Sequence, residues 1–155
     1  MKGIAIKQTT RGSVGVNKIN SMFKKCKESG KVYYSTNIII VDAQSFSEIL
    51  FCLNYKGKFR FVVADIVSYE GFSKGKGIPS DCHDFMCDSS NNVACRNWFL
   101  VNNMREVSSN YVKRLQVVKI DGSTTSLLEN LSKPKLNRLD YVDVTLDDED
   151  VLIKY

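Results

Sequence analysis

The stretch from Ser47 to Tyr69 limits the fold most strongly, because it holds two apolar runs separated by five residues. The first run ends before Asn54 and the second begins at Phe59, and Gly57 lies between them. This pattern predicts two strands joined by a hairpin turn. Because the apolar runs are almost continuous rather than alternating, we expect a sheet that is covered on both faces or rolled into a small barrel.

The flanking segments predict an α+β chain. The irregular stretch from Gly71 to Cys95 is long enough to indicate a rim loop or lid. Helical spacing predicts one helix before the hairpin, and period-2 patterns predict strands on both sides of it. The remaining predicted elements are strands at Gly3–Gln8, Lys31–Thr36, Asn97–Val107, Tyr111–Ile120 and Tyr141–Leu146, and helices at Asn17–Glu28 and Ser123–Leu131.

Length and composition favour one domain over residues 1–155. The chain has 155 residues, 43% of them hydrophobic, and two prolines, which is enough to bury a core. The acidic end from about residue 147 is typical of a solvated tail. No apolar run is long enough to span a membrane, and the start is too quickly polar for a signal peptide. With five scattered cysteines, we expect free thiols, no membrane partner and an intracellular location in cytoplasm or nucleus.

The positive charge is concentrated in the first half of the chain. Residues 1–80 contain 13 Lys and Arg against 5 Asp and Glu, an excess of eight positive charges. Residues 81–155 contain 9 against 12, an excess of three negative charges. A basic half is compatible with a polyanionic partner such as nucleic acid, although net charge alone does not decide it.

The sequence contains little that indicates catalysis or a cofactor. His83 is the single histidine, and neither a nucleophile-elbow motif nor a phosphate-loop motif is present. We therefore predict no enzymatic activity, no small-molecule substrate and no cofactor. Cys82, His83, Cys87 and Cys95 are of metal-ligand type, but their spacing matches no standard zinc pattern. We expect no metal, with a zinc site in this loop as the alternative.

Several segments, in the right order, resemble the YTH domain family. They are the core Ser47–Ser68, the preceding Val32–Thr36, the following Asn97–Val101, and the stretch Leu128–Asp140 with its Leu-Glu-Asn, Lys-Pro and Arg-x-Asp. The resemblance implies a small PUA-like (YTH/EVE-type) β-barrel flanked by helices. It also implies non-catalytic recognition of N6-methyladenine in single-stranded RNA, by an aromatic cage that stacks on the unstacked base.

The resemblance also implies residues of the cage. Tyr34 falls where the family places a first cage tryptophan, and Ser35 where it places a base-reading serine. The alternative for Tyr34 is a tyrosine packed in the core, since side chains alternate along a strand. Trp98 aligns with a core strand residue, so Phe85, with Phe72 behind it, is the candidate for the second wall.

Further residues are expected to contact the bound nucleic acid. Asn103, at the position of a family acidic residue, and Asn17 complete the expected base-binding set. Arg138, Lys133 and Lys31 are the expected phosphate contacts. For Arg138 the alternative is a surface arginine paired with Asp140.

Two other functions stay open at this point. Related EVE, ASCH and PUA-like modules of methyl-directed restriction systems read modified DNA, so methylated DNA with a flipped base is the alternative partner to methylated RNA. A protein-interaction domain that binds no nucleic acid is the second alternative, in which the basic charge serves solubility.

Overall fold

The computed structural model describes residues 2–8, 14–72, 75–86, 94–119, 121–132, 138–142 and 148–154. Within these ranges there are nine strands, four α-helices and two short 3-10 turns, at Ala43–Ser45 and Asp148–Asp150. In chain order, the elements are β1 Lys2–Gln8, α1 Val14–Ser29, β2 Val32–Thr36, β3 Glu48–Tyr55, β4 Lys58–Gly71, α2 Cys82–Phe85, β5 Asn97–Val107, α3 Ser109–Arg114, β6 Gln116–Val118, β7 Thr124–Ser126, α4 Leu127–Leu131, β8 Arg138–Val142 and β9 Val151–Lys154. Among the described residues, no helix has both the length and the apolar character needed to cross a membrane.

The central hairpin is confirmed and lies in the middle of the sheet. β3 pairs antiparallel with β4, and the register runs from Glu48 opposite Asp65 to Tyr55 opposite Lys58. The two turn residues, Lys56 and Gly57, both have positive φ, at 52° and 77°. This is the backbone of a type I′ turn, whose twist matches that of the flanking strands.

The α+β class is also confirmed, but the expected barrel is wrong. The strand order is β2-β5-β4-β3-β1-β8-β6-β7, with β9 added on β5, and no described pairing joins β2 to β7. The sheet is therefore open in the described ranges. Most pairs are antiparallel, and β1 with β3 is a parallel pair.

The continuous apolar runs arise because the sheet is covered on both faces. On one face, Ile49 and Phe51 pack in a core with residues of α1. On the other, Leu50 and Cys52 pack in a second core with residues of α3 and α4. Neighbouring side chains on a strand point to opposite faces, so both parities must be apolar where both faces are buried.

Two predicted elements after β5 differ from those observed. Residues 109–114 are helical rather than extended, because the Ser108 hydroxyl accepts a hydrogen bond from the Tyr111 amide at 3.3 Å and caps α3. In the described part of the predicted strand, the residues that form a strand are Gln116–Val118. The predicted helix at Ser123–Leu131 starts later, since Thr124–Ser126 forms β7 against β6.

The acidic C-terminal end is not a solvated tail throughout. Asp150 is 3% exposed, and its carboxylate accepts from the Arg114 guanidinium at 2.6 Å. Its carbonyl oxygen accepts from the Ser108 amide at 2.8 Å, and β9 beyond it pairs with β5. Asp148 and Glu149 are exposed as expected. A carboxylate is buried here because a fixed cation compensates for its lost hydration.

Candidate functional site

A concavity lies where β1 and β3 end, between the β3–β4 hairpin and helices α3 and α4. Its volume is about 680 Å³, within the usual range for a small-ligand site. Most of its lining is apolar, and a few polar side chains reach it. The described lining residues are Lys7, Gln8, Cys52, Leu53, Asn54, Phe59, Phe61, Ser109, Lys113, Leu128, Leu131 and Ser132.

The paired ends of β1 and β3 form the floor of this cavity. Lys7 lies opposite Cys52 and Gln8 opposite Leu53, so the last two residues of β1 meet the last apolar residues of β3. β3 continues to Tyr55, past its last pair with β1, which is Gln8 opposite Leu53. The cavity therefore lies at the carboxyl ends of two parallel strands.

Two phenylalanine rings form one wall of the cavity. Phe59 and Phe61 are two residues apart on β4 and therefore project from the same face. Their rings are stacked, with centroids 6.4 Å apart and an interplanar angle of 7°. Phe61 is buried, whereas Phe59 is 57% exposed. The outer ring of this stack can therefore be covered by a planar ligand.

The charge at the cavity is positive. Two of the described lining residues, Lys7 and Lys113, are lysines, and none of the described lining residues is acidic. Lys56 in the hairpin turn and Lys58 at the start of β4 are exposed. Arg60 is instead paired with Glu106, with Nε to Oε1 at 3.0 Å. A ligand with an apolar or aromatic body and an anionic group therefore matches this surface.

Cys52 does not provide a nucleophile. Burial raises the pKa of its thiol to about 12, and the nearby Lys7 charge opposes this shift only in part. The thiolate is the reactive form, so this cysteine is inert at neutral pH. His83 is exposed on α2 and is not among the residues that line the cavity.

Tyr34 lies in the core, which was the alternative to its expected place in an open cage. It is 3% exposed, and its ring makes an edge contact with Phe51, with centroids 4.9 Å apart. Phe85, the other expected wall, packs instead with Tyr33 on the opposite face of β2. Adjacent strand residues point to opposite faces, so Tyr34 and Phe85 cannot enclose one base.

The aromatic cluster that does form is closed by its own contacts. Tyr33 makes edge contacts with Trp98 and Phe85, with centroids 5.7 and 6.4 Å apart. The Trp98 indole donates to the Gly77 carbonyl at 2.8 Å, and the Tyr33 hydroxyl donates to Asp81 at 2.6 Å. Phe72 packs against the same cluster. The prediction that Trp98 is a core residue is confirmed, and the described part of the 71–95 segment is fastened to the sheet.

The other expected base-binding residues lie apart from the cavity lining. Ser35 is half-buried on β2 and pairs in register with Trp98. Asn17 is exposed on α1. Asn103 is exposed on β5, and its amide donates to Asp65 at 2.8 Å. None of the five expected base-binding residues is among the described residues that line the cavity.

The expected phosphate and metal contacts are only partly described. Lys31 has its ammonium 5.9 Å from the centroid of the Phe85 ring. Arg138 lies on β8, but its side chain and the whole of Lys133 lie outside the described residues.

Cys82 and Cys95 are buried in the aromatic cluster, and Cys87 lies outside the described residues. Across the described ranges, no three His, Cys, Asp or Glu side chains come together as a metal site.

Sequence reasoning missed the residues that shape the cavity, chiefly Lys7, Gln8, Phe59 and Lys113. A usable signal was present at Phe59, which lies between Lys58 and Arg60 at the start of a strand. An aromatic residue flanked by cations is the composition of a surface that stacks bases. No comparable local pattern in the sequence indicates that residues of α3 and α4 line the cavity.

The fold and the cavity together define a mixed α+β protein with a lysine-edged apolar cavity. No family model matches the sequence, and neither a curated protein nor a solved structure matches the chain. The resemblance to YTH domains therefore stays a prediction that rests on the sequence segments themselves.

Proposed function

We propose that this chain is a non-catalytic binding protein for single-stranded nucleic acid and that it receives one unstacked base in the cavity. The observation that carries the proposal is the exposed Phe59 ring at the wall of an apolar cavity that Lys7 and Lys113 also line. Aromatic rings stack on bases whatever their identity, and lysines contact the phosphates that follow. A base within a duplex presents no face to such a ring, which favours single strands.

The preferred base is N6-methyladenine in RNA, as the YTH resemblance implies. The apolar lining supports this, because a buried methyl group contributes about 0.8 kcal/mol, or roughly a fourfold preference over plain adenine. The walls in this proposal are Phe59 and Phe61 rather than the pair suggested by alignment. Methylated DNA with a flipped base would use the same cavity and is a separate arm of the test.

A non-catalytic role is supported by the chemistry of the lining. The Cys52 thiol is held in its neutral form by burial, and His83 is not part of the described lining. The remaining polar groups are hydroxyls, amides and ammonium groups, which bind and orient a ligand.

The test is fluorescence anisotropy with labelled single-stranded RNA and DNA that contain one N6-methyladenine or one adenine. We expect tighter binding to the methylated RNA and a steep loss of affinity with salt. Phe59→Ala should weaken binding by roughly 1–3 kcal/mol because it removes the stacking surface. Val118→Ala is the matched control, because Val118 is a similarly exposed apolar strand residue that does not line the cavity.

Two results would contradict the proposal. One is the absence of binding to every strand at low salt. The other is equal weakening by Phe59→Ala and Val118→Ala, which would show that the contact is not at the cavity.

A protein-interaction role is the second candidate, and a different surface favours it. Ile39 and Val41, in the segment before β3, are 69% and 70% exposed. Exposed apolar residues close together can mark a contact surface for another protein. Failure of all oligonucleotides to bind, together with self-association that Val41→Asp abolishes, would favour this candidate.

A further inference from the structure

Asn54 is the lining amide that lies beside the exposed phenylalanine ring. It pairs in register with Phe59 on the neighbouring strand of the hairpin. Tyr55 and Lys58 flank the two-residue type I′ turn and form the hydrogen-bonded pair that closes it. The two kinds of pair alternate along an antiparallel ladder, so Asn54 and Phe59 form a non-hydrogen-bonded pair. This is the kind in which opposite side chains lie closest together.

The Asn54 side chain is on the cavity side of the sheet. Side chains two residues apart on a strand share a face, and Asn54 follows Cys52 in this way. Cys52 packs with Phe61 in the core that faces α3 and α4, and all three residues line the cavity. The amide of Gln8, the other lining residue of this type, donates to Tyr34 in the core of the opposite face. Asn54 is therefore the amide that the described lining presents on the cavity side.

The position of Asn54 suits the edge of a stacked base. Both Asn54 and Phe59 are exposed, so a ligand can reach the two side chains together. A base that stacks on the Phe59 ring lies parallel to it and presents its polar edge beyond the rim of the ring. The Cβ atoms of opposite residues in such a pair are about 5 Å apart, which brings the amide within reach of that edge.

An asparagine amide matches one edge of adenine in both of its hydrogen bonds. The side chain has a carbonyl oxygen that accepts and an NH2 group that donates. Adenine presents an N6–H donor next to the N7 acceptor, and asparagine pairs with these two groups in nucleic-acid recognition generally. Guanine presents two acceptors on the same edge, O6 and N7, so the amide oxygen would meet another oxygen there.

We propose that Asn54 recognises the N6–N7 edge of an adenine or N6-methyladenine that stacks on Phe59, through its carbonyl oxygen on N6–H and its amide nitrogen on N7. The inference deepens the proposed function and rests on it. N6-methyladenine keeps one N6–H, which lies beside N7 when the methyl group lies beside N1. The methyl group and the amide contact are then compatible, and the apolar lining receives the methyl group.

The experiment compares single-stranded RNAs that contain one adenine or one 7-deazaadenine in an otherwise adenine-free strand. The second base keeps its amino group and its stacking face but has a C–H in place of N7. We expect the native protein to bind the adenine strand about five- to tenfold more tightly in an anisotropy titration. This is the lower part of the range for a bidentate contact, because Asn54 is exposed.

Variants of Asn54 test whether this amide causes the preference. Asn54→Leu removes both hydrogen bonds, so the ratio between the two strands should fall to about one. Asn54→Asp keeps the size and the acceptor but loses the donor to N7, so its ratio should fall to about one or below. Asn20→Leu is the matched control, since Asn20 is an exposed asparagine of α1 on the other face of the sheet, and its ratio should be native. Thermal unfolding confirms that each variant is folded.

The outcomes distinguish this inference from the function on which it rests. If the native protein binds both strands equally while Phe59→Ala weakens both, the role of Asn54 is overturned and nucleic-acid binding stands. A native ratio in folded Asn54→Leu or Asn54→Asp overturns it equally. If no strand binds at all, both proposals are overturned.

Discussion

Two groups of aromatic side chains in this protein differ in exposure, since one is closed and the other is open. The cluster of Tyr33, Trp98 and Phe85 fills itself by edge contacts, and hydrogen bonds satisfy its indole and its hydroxyl. The stacked pair of Phe59 and Phe61 leaves its outer ring more than half exposed beside a cavity. The closed cluster contains the only tryptophan of the sequence, yet the open pair is the better surface for a base.

The difference shows that aromatic content does not itself create a recognition site. A ring whose faces and edges are already covered contributes stability, whereas a ring with an uncovered face can stack on a ligand. Each region can be altered separately, so variants can test whether the two regions have different roles. Changes in the closed cluster should affect unfolding, and changes at the open pair should affect binding.

The largest expected effect is the loss of the closed cluster. Trp98→Ala removes a side chain that is 1% exposed and leaves a cavity on the sheet. We expect a loss of about 3–5 kcal/mol in the free energy of unfolding, measured by urea denaturation. Where the variant is still folded, its preference among oligonucleotides should be unchanged. A variant of native stability that no longer discriminates would reverse the assignment of the two regions.

The second-largest expected effect comes from filling the cavity beside Phe59 and Phe61. Leu128 is half-buried in the lining, and Leu128→Trp would place a large ring in the cavity. Binding should weaken more than tenfold, or about 1.4 kcal/mol, since the ligand loses its space. Titration with the methylated strand measures this. The unfolding temperature should be nearly unchanged, and Val118→Trp, which adds the same ring outside the lining, should bind normally.

Much of the fold follows from local pattern. The hairpin was predictable because its apolar runs and its glycine turn lie next to each other in the chain. The first helix was predictable from its apolar spacing, although it starts one turn earlier than Asn17. The open sheet was not predictable, since continuous apolar strands are equally expected of a barrel and of a sheet covered on both faces.

The site was harder to predict because it depends on register and on distant segments. The pairing of β2 with β5 sets which of Tyr33 and Tyr34 packs on the face with Phe51 and which packs with Trp98, and a slip of one residue exchanges the two. The cavity forms only when α3 and α4 meet the hairpin, more than forty residues earlier in the chain. The cap at Ser108, which turns 109–114 into a helix, decides this geometry, and the apolar pattern there suggested a strand.

A smaller effect sharpens the description of the closed cluster. Tyr33→Phe keeps the ring contacts and removes the hydrogen bond to Asp81. Because Asp81 is exposed, we expect a loss of only about 1 kcal/mol in unfolding free energy. Thermal unfolding measures it, and Asp81→Asn should have a comparable effect. An altered affinity for oligonucleotides in Tyr33→Phe would mean that this cluster, too, contacts the ligand.

The smallest effect concerns the charge beside the open pair. Lys113 lines the cavity from the last turn of α3, where a phosphate next to the bound base would lie. If it contacts one phosphate, Lys113→Ala should weaken all strands a few-fold at physiological salt, because such a contact carries no base information. The slope of log affinity against log salt should fall by about 0.7, the value for one phosphate on a single strand. Lys24→Ala, an exposed lysine of α1 on the other face of the sheet, should leave the slope unchanged. Equal slopes for Lys113→Ala and the native protein would place the strand elsewhere on the surface, whereas a change in the affinity ratio between methylated and unmodified strands would place Lys113 on the base itself.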